Sequence, residues 1–404
     1  MKRSFVLMIC LTRILAAQEP PDIVSRSAVL MDATTGTVLF AKNADSAIPP
    51  ASLTKLMTMH LALAEVSAGR ASLDEVIPLP SETWAENQPS GSSLMFLARG
   101  QSVTLHELLL GLIISSGNDA AIAVALRFDQ TVAQFAQRMN EEARKMGFLQ
   151  TYFVEPSGVS EKNMTTASDF ASFCREYIRL HPETLQDYHS VPNFAYPKAY
   201  NVPAAYRSRP GTIVQYNRNT LLGTVKGVDG LKTGYIDESG YNIALTAERN
   251  GTRLIAVVLG APADSSGTRI RDNDGKQLLE FGFEHYKTVT VRPHVDSLKP
   301  VRLWLGKTNW VEVAVEHTIA FTTAIDRART IYQKIEIDEP VLAPLDTGAV
   351  IGKLIFYDER GTLAQSAIFT TAPVEKGGFF KRFFDRIRLW WKNLTDKTEN
   401  KTKG

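Results

Sequence analysis

The alternation of apolar and polar positions divides the chain into three textures. In the first, strand-like runs from Ala28 to Asp32 and from Thr37 to Lys42 flank a turn containing Gly36, which predicts a hairpin. Pro49 and Pro50 stop it, and Ser52 opens a run of helix formers, Leu53 to Ala64, without Gly or Pro. Residues 105–114 are apolar nearly all round and predict a central helix. Asn118 and Asp119 then stand as caps before a small-residue helix, Ala120 to Leu126, and residues 131–146 are amphipathic at helical spacing. Further on, Tyr241 to Arg249 and Thr252 to Gly260 flank Asn250 and Gly251, a strong hairpin signal, and residues 275–286 predict a last helix. Strands at both ends with helices between them predict one antiparallel sheet, closed by terminal hairpins and flanked by helices, in an α/β (α+β) domain over 18–286.

From about Lys287 the runs shorten and alternate: Thr288 to Arg292, Val301 to Leu305, Trp310 to Val315, Tyr332 to Ile337 and Val350 to Phe356. That pattern predicts a small all-β domain, a sandwich or barrel, over 287–375. It carries no chemical constellation. The third texture covers 376–404. Phe379, Phe380, Phe383, Phe384, Ile387, Trp390, Trp391 and Leu394 recur at three- and four-residue steps, with Lys381, Arg382, Arg386, Arg388 and Lys392 between them. An aromatic face opposite a cationic one predicts a helix lying on a membrane surface, against the alternative of a helix packed on the β domain. Gly377 and Gly378 are the expected hinge, and the β domain the expected spacer.

Composition narrows the class. The chain has 404 residues, 44% hydrophobic and 22% charged, which excludes disorder, collagen and coiled coil. Its net charge of +2 hides an asymmetry: residues 376–404 carry nine Lys/Arg against three Asp/Glu, so the body is acidic and a nucleic-acid partner is not expected. Lys2, Arg3, the apolar run Phe5 to Leu11 and the small pair Ala16-Ala17 predict a signal peptide over 1–17 and hence export, with Arg13 interrupting the pattern. Beyond that leader, Cys174 is the one cysteine, set among Phe170, Phe173, Tyr177 and Ile178 at the spacing of a core face.

Three short motifs could carry chemistry. Ser52 and Lys55 are three residues apart at a helix start, which puts both on one face, where a neutral amine can take the hydroxyl proton; the bland reading is a cap and a solvated lysine. Ser116-Gly117-Asn118 joins two helices and offers a hydroxyl and an amide, or else only caps. Lys232-Thr233-Gly234 offers an ammonium, a hydroxyl and a close backbone approach, or else guards a sheet edge. Taken together, at separations of 64 and 116 residues, they match the set of penicillin-binding proteins and class A β-lactamases.

The residues around the motifs, Pro50 to Met57, Gly91 to Leu97, Ser116 to Ala120, Gly230 to Gly234 and Arg271 with Asp274, closely resemble the low-molecular-mass penicillin-binding proteins. The chain resembles their serine-type D-alanyl-D-alanine carboxypeptidases from about residue 25 to its end. The resemblance implies a β-lactamase/transpeptidase-like catalytic domain. It implies that Ser52 attacks the carbonyl between the terminal D-alanines of a peptidoglycan stem peptide. Lys55 is then the general base, and Ser116, Asn118 and Lys232 complete the catalytic set. Backbone N–H groups of Ser52 and Tyr235 line the oxyanion hole, Thr233, Gly234 and Arg271 receive the substrate carboxylate, and Arg218 supports the cleft. It also implies covalent inhibition by β-lactams, no metal or other cofactor, and a peripheral place on the outer face of the cytoplasmic membrane. Tyr235 departs from the His or Thr that relatives carry there.

Three rivals remain at this stage. A class A β-lactamase needs a Glu-x-x-Leu-Asn segment between the second and third motifs, and residues 117–231 contain none. An endopeptidase or transpeptidase shares the acyl-enzyme. A silent wall-binding scaffold keeps the fold alone. The seven histidines show no ligand spacing, which argues against a zinc enzyme.

Overall fold

Strands from the two ends of the first unit meet at the centre of one sheet. The computed structural model describes residues 20–204, 211–292, 298–316 and 318–401, with side chains described to 392. The leader predicted over 1–17 lies outside the described residues. The chain divides between His285 and Tyr286 into two units.

The first unit contains strands β1 (Ser27–Asp32), β2 (Val38–Lys42), β3 (Val76–Ile77), β4 (Val103–Thr104), β5 (Asn193–Tyr196), β6 (Ile213–Tyr216), β7 (Val228–Ile236), β8 (Gly240–Arg249) and β9 (Thr252–Ala261). Its helices are α1 (Lys55–Ser67), α2 (Leu105–Leu110), α3 (Asn118–Phe128), α4 (Val132–Lys145), α5 (Ala167–Leu180) and α6 (Gly267–His285). The main sheet runs in the order β2-β1-β9-β8-β7 and is antiparallel throughout, while β3-β4 and β5-β6 form two small pairs. Asn250 and Gly251 both take positive φ, 52° and 77°, which lets the tight turn between β8 and β9 follow the strand twist.

Helices cover both faces of this sheet, so its central strands are buried on both sides. Along β9, Ile255, Val257 and Leu259 join the larger core with α1 to α5, whereas Leu254, Ala256 and Val258 face Leu278 and Leu279 of α6. Two glycines let α6 approach closely: a β-carbon at Gly275 would sit 2.6 Å from Leu245 Cδ1, and one at Gly282 would sit 2.5 Å from Leu254 Cδ1. Cys174 is fully buried on α5, and desolvation pushes its thiol pKa up, which makes it an inert core side chain.

Two element boundaries differ from the pattern. Residues 51–54 form a 3₁₀ turn and α1 begins only at Lys55, so Ser52 is not a cap; no side-chain cap bond exists there. The apolar helix after residue 104 changes at Gly111 into a π turn, Gly111–Ser115, and ends with Ser116 in the left-handed region at φ 58°. Met95 packs tightly against the first residue of that turn: a β-carbon at Gly111 would lie 2.2 Å from Met95 Sδ.

The second unit is all-β followed by a helix. Its strands are β10 (Tyr286–Val291), β11 (Val301–Trp304), β12 (Trp310–Val311), β13 (Val313–Ala314), β14 (Ile319–Ala324), β15 (Tyr332–Ile337), β16 (Val341–Leu342), β17 (Val350–Asp358) and β18 (Gly361–Thr370). They form a pair β10-β14, a trio β12-β11-β16 and a quartet β13-β18-β17-β15 around one apolar cluster that includes Leu303, Phe321, Phe356 and Ile368. The final helix, α7 (Phe379–Lys401), starts on this unit. Of the two glycines expected as a hinge, one is packed. Gly377 donates its N–H to Leu305 O at 2.8 Å, and a β-carbon there would lie 2.7 Å from Gly306 O, so it is a docking point. Gly378 alone has open space around it.

Candidate active site

Backbone geometry brings Ser52 to the open edge of the main sheet. The 3₁₀ turn carrying it is squeezed between two glycines. A β-carbon at Gly158 would lie 1.9 Å from Ala51 O, and one at Gly234 would lie 2.9 Å from Pro50 O and 3.0 Å from the Ser52 nitrogen. Strand β7 therefore passes directly beside the nucleophile turn, which brings the backbone at Gly234 and Tyr235 alongside Ser52.

Lys55 is fully buried at the first turn of α1. Its Nζ donates to Ser52 Oγ at 3.0 Å, to Asn118 Oδ1 at 2.8 Å and to the Ser157 carbonyl at 2.5 Å. Burial brings its pKa down to about 7; Glu155 opposes that shift, Arg218 adds to it, and Asp119 opposes it. An amine that loses its proton near neutrality and touches a serine hydroxyl is equipped to act as a base.

On the other side of the pocket, Lys232 of β7 is also buried and donates to Ser116 Oγ at 3.0 Å and to its neighbour's carbonyl, Thr233 O, at 3.0 Å. Burial, then the positive charges of Lys55, Arg218 and Arg271, hold it well below the usual lysine range. β7 is an edge strand, but Lys232 points inward at a hydroxyl and so does not guard the edge. The capping reading of the second motif fails as well: α3 has no side-chain cap bond, and Asn118 spends its carbonyl on Lys55. Asp119 instead accepts N–H bonds from Met95, Phe96, Leu97 and Ala120, all between 2.8 and 3.0 Å, tying the 93–97 segment to the site.

Ser52, Lys55 and Asn118 thus form one hydrogen-bonded group and Ser116 with Lys232 a second, drawn from three remote stretches of chain, with the two lysines close enough for their charges to interact. Thr233 and Gly234 border them on β7. Tyr235 is exposed, its ring lies 4.3 Å from that of Tyr241, and its hydroxyl donates to Asp237 Oδ1 at 2.5 Å, which fixes the ring at the rim and raises its pKa to about 12. Arg218 is close enough for its charge to act on both lysines. Arg271 is buried and held by its sequence neighbour: Nε donates to Asp272 Oδ1 at 2.8 Å, and Thr220 Oγ1 donates to Asp272 Oδ2 at 2.5 Å. Asp274 has a different task, receiving Val24 N, Ser25 N and Ser25 Oγ. Sequence reasoning missed Asp272 and Ser157. The first was legible only as an acid beside an arginine, and the second contributes a backbone carbonyl, which no side chain announces.

Among the described residues no group of three or more His, Cys, Asp or Glu side chains could hold a metal ion. His60 and His181 are paired in the core at 2.9 Å, outside this constellation.

Comparison with known proteins now decides the family. Residues 14–263 match the model of the D-alanyl-D-alanine carboxypeptidases, and residues 286–376 match that of the penicillin-binding protein 5 C-terminal domain. The chain belongs to the D-alanyl-D-alanine carboxypeptidase family. It is 33% identical over 394 residues to the D-alanyl-D-alanine carboxypeptidase DacC of Escherichia coli, covering 96% of this chain and 94% of that one. The Haemophilus influenzae carboxypeptidase DacA is 31% identical over 379 residues, covering 93% and 91%. Among solved structures, penicillin-binding protein 5 from Haemophilus influenzae superposes with a TM-score of 0.79 at 29% identity, covering 89% of this chain and all of that one. Penicillin-binding protein D2 of Listeria monocytogenes in its ampicillin-bound form matches with a TM-score of 0.55 at 32% identity, over 65% of this chain and all of that one. This family member is a serine peptidase with an α/β catalytic domain and a C-terminal β domain, as its sequence motifs implied.

Proposed function

We propose that the constellation around Ser52 removes the terminal D-alanine from peptidoglycan stem pentapeptides. Ser52 Oγ attacks the carbonyl between the two D-alanines as its proton passes to neutral Lys55. The peptide C–N bond breaks, and D-alanine leaves with a proton delivered through Ser116 and Lys232. Backbone N–H groups of Ser52 and Tyr235 receive the oxyanion. The Thr233 hydroxyl and the Arg271 charge receive the terminal carboxylate where β7 passes at Gly234, and Arg218 supports the positive field. Water then adds to the acyl-enzyme, returning the proton to Ser52 Oγ and releasing the shortened peptide.

The observation that carries this reading is the 3.0 Å bond between Lys55 Nζ and Ser52 Oγ, with the amine poised near neutrality. A β-lactam acylates the same hydroxyl. Residues 117–231 contain no Glu-x-x-Leu-Asn segment of the kind that activates water in class A β-lactamases, so the penicilloyl-enzyme is long-lived. The test is release of D-alanine from a synthetic stem pentapeptide by the wild type and by Ser52→Ala. Loss of release and of covalent penicillin labelling in the variant is expected; release at the wild-type rate overturns the mechanism.

The leader at 1–17 exports the chain, and α7 holds it on the outer face of the cytoplasmic membrane. Support for that placement is the exposure of Phe379, Phe380, Phe383, Phe384, Ile387, Trp390 and Trp391, each between 40% and 76%, on a helix rich in Lys and Arg. Among the described residues no helix is long and apolar enough to cross a membrane.

A further inference from the structure

The loop between α4 and α5 is wrapped around a single carboxylate. Glu155 Oε2 accepts from Ser157 N and Ser157 Oγ, both at 2.6 Å; Oε1 accepts from Gly158 N at 2.7 Å, Asn163 Nδ2 at 2.9 Å and Ser160 N at 3.4 Å. Five donors converge on one side chain, and all of them belong to its own loop. The loop is in turn gripped by three residues around the start of α1. Thr54 Oγ1 accepts from Asn163 Nδ2, Thr58 Oγ1 donates to Pro156 O at 2.7 Å, and Lys55 Nζ donates to Ser157 O at 2.5 Å. Gly158, at φ 85°, is the glycine that packs against the Ala51 carbonyl.

We propose that Glu155 is a positioning residue for Lys55: it folds the 155–163 loop around itself and so presents the Ser157 carbonyl that holds the amine against Ser52. The inference rests on the reading of Lys55 as the proton acceptor. Glu155 also acts through charge. The charged groups that bear on Lys55 are Glu155 from this loop, Asp119 from α3, Arg218 from the segment after β6 and Lys232 from β7. Among these Glu155 is the strongest influence favouring the protonated amine. Removing its charge lets Lys55 shed its proton at lower pH, while removing its geometry lets the amine drift. The two effects separate experimentally.

The experiment measures the rate constant for acylation by benzylpenicillin against pH in the full chain, for wild type, Lys55→Met, Glu155→Gln, Glu155→Asp and Thr58→Val. In Glu155→Gln a carboxylate oxygen becomes an NH₂ that faces donors, so the plateau rate falls by at least about tenfold. Its acidic limb moves to lower pH by about one unit. Glu155→Asp keeps the charge but shortens the reach, so its limb stays where the wild type has it while the rate remains low. Thr58→Val loosens the loop without touching the charge and gives the same signature; it, with Glu155→Asp, decides the matter if Glu155→Gln does not fold. Wild-type rate and limb in Glu155→Gln overturn the proposal, as does an unchanged rate in Thr58→Val. Should Lys55→Met acylate as fast as the wild type, it is the reading of Lys55 itself that fails; with that variant inactive, the Glu155 variants speak for Glu155 alone.

Discussion

Lys232 Nζ lies 3.0 Å from Ser116 Oγ, although 116 residues separate them along the chain. The hydroxyl sits at the end of a π turn with its backbone in the left-handed region, and the amine comes from the edge strand of the main sheet. Neither position has another evident purpose. A buried lysine beside three other cationic groups costs stability; in the proposed mechanism it helps hand a proton to the leaving amine. Ser116→Ala breaks that path. It is expected to lower kcat for D-alanine release by about 10²-fold with little change in KM, as general acid–base steps do. Steady-state kinetics on a stem pentapeptide check it.

The pH dependence follows from Lys55. Its amine is neutral, and able to accept a proton, only above a pKa of about 7. Acylation of Ser52 by a β-lactam is therefore expected to rise tenfold per pH unit below that value and to level off above it. Stopped-flow or gel-based labelling between pH 5 and 9 measures the limb, with limits of roughly that range set by lysine behaviour.

The same shift has a folding consequence. Lys55 releases its proton near pH 7 in the folded chain but near the ordinary lysine value of 10.5 when unfolded. Between those values the unfolded chain binds the extra proton, so stability rises with pH. Burying the charged form costs on the order of 5 kcal/mol, fully present below the folded pKa and relieved by the unfolded one. Lys55→Met removes this contribution. The stability of the wild type relative to this variant is expected to climb from pH 7 toward 10, read from urea midpoints.

Much of this site is legible in the sequence because it depends on spacing. Ser52 and Lys55 need only one helical turn between them, and the turn at Asn250 and Gly251 needs only its two residue types. That one antiparallel sheet is built from hairpins at both ends of the domain is legible too, from strand-like runs at both ends with helical runs between them. Less legible is what depends on packing between remote segments. The π turn opens at Gly111, where Met95 leaves no room for a side chain, and the late start of α1 leaves Ser52 in a 3₁₀ turn between Gly158 and Gly234. In the β unit, β14, β16 and β18 lie outside the predicted runs, although β14 alternates cleanly, with Ile319, Phe321 and Thr323 buried. Asn118 and Asp119 read as caps because both residue types cap well; their real partners, Lys55 and the 95–97 backbone, are visible only in three dimensions.

Arg271 is aimed by Asp272. The carboxylate holds the guanidinium through Nε and is itself fixed by Thr220. Asp272→Ala frees Arg271 without removing its charge. The expected result is a KM raised by about tenfold for a stem peptide with a free terminal carboxylate, the scale of one charged hydrogen bond, with kcat nearly unchanged. A larger fall in kcat than rise in KM counts against a carboxylate-orienting role.

Truncation is a poor test of the proposed membrane contact of α7. Asp385 is buried on α7 and accepts the Leu305 N–H at 2.9 Å, besides pairing with Lys381, so cutting at 377 also strips the second unit of a docked polar group. Phe383, Phe384 and Trp390 make a cleaner target because all three are more than half exposed and leave Asp385 in place. Replacing them together by serine removes several hundred Å² of apolar surface, and at about 25 cal/mol per Å² the loss is several kcal/mol if those rings enter a bilayer. Binding to anionic phospholipid vesicles is expected to weaken by at least about tenfold in a sedimentation assay, while D-alanine release from a soluble pentapeptide stays at the wild-type rate. Vesicle binding unchanged by the triple substitution overturns the interfacial placement of α7 and turns attention to its cationic residues alone, whose contribution high salt would then abolish.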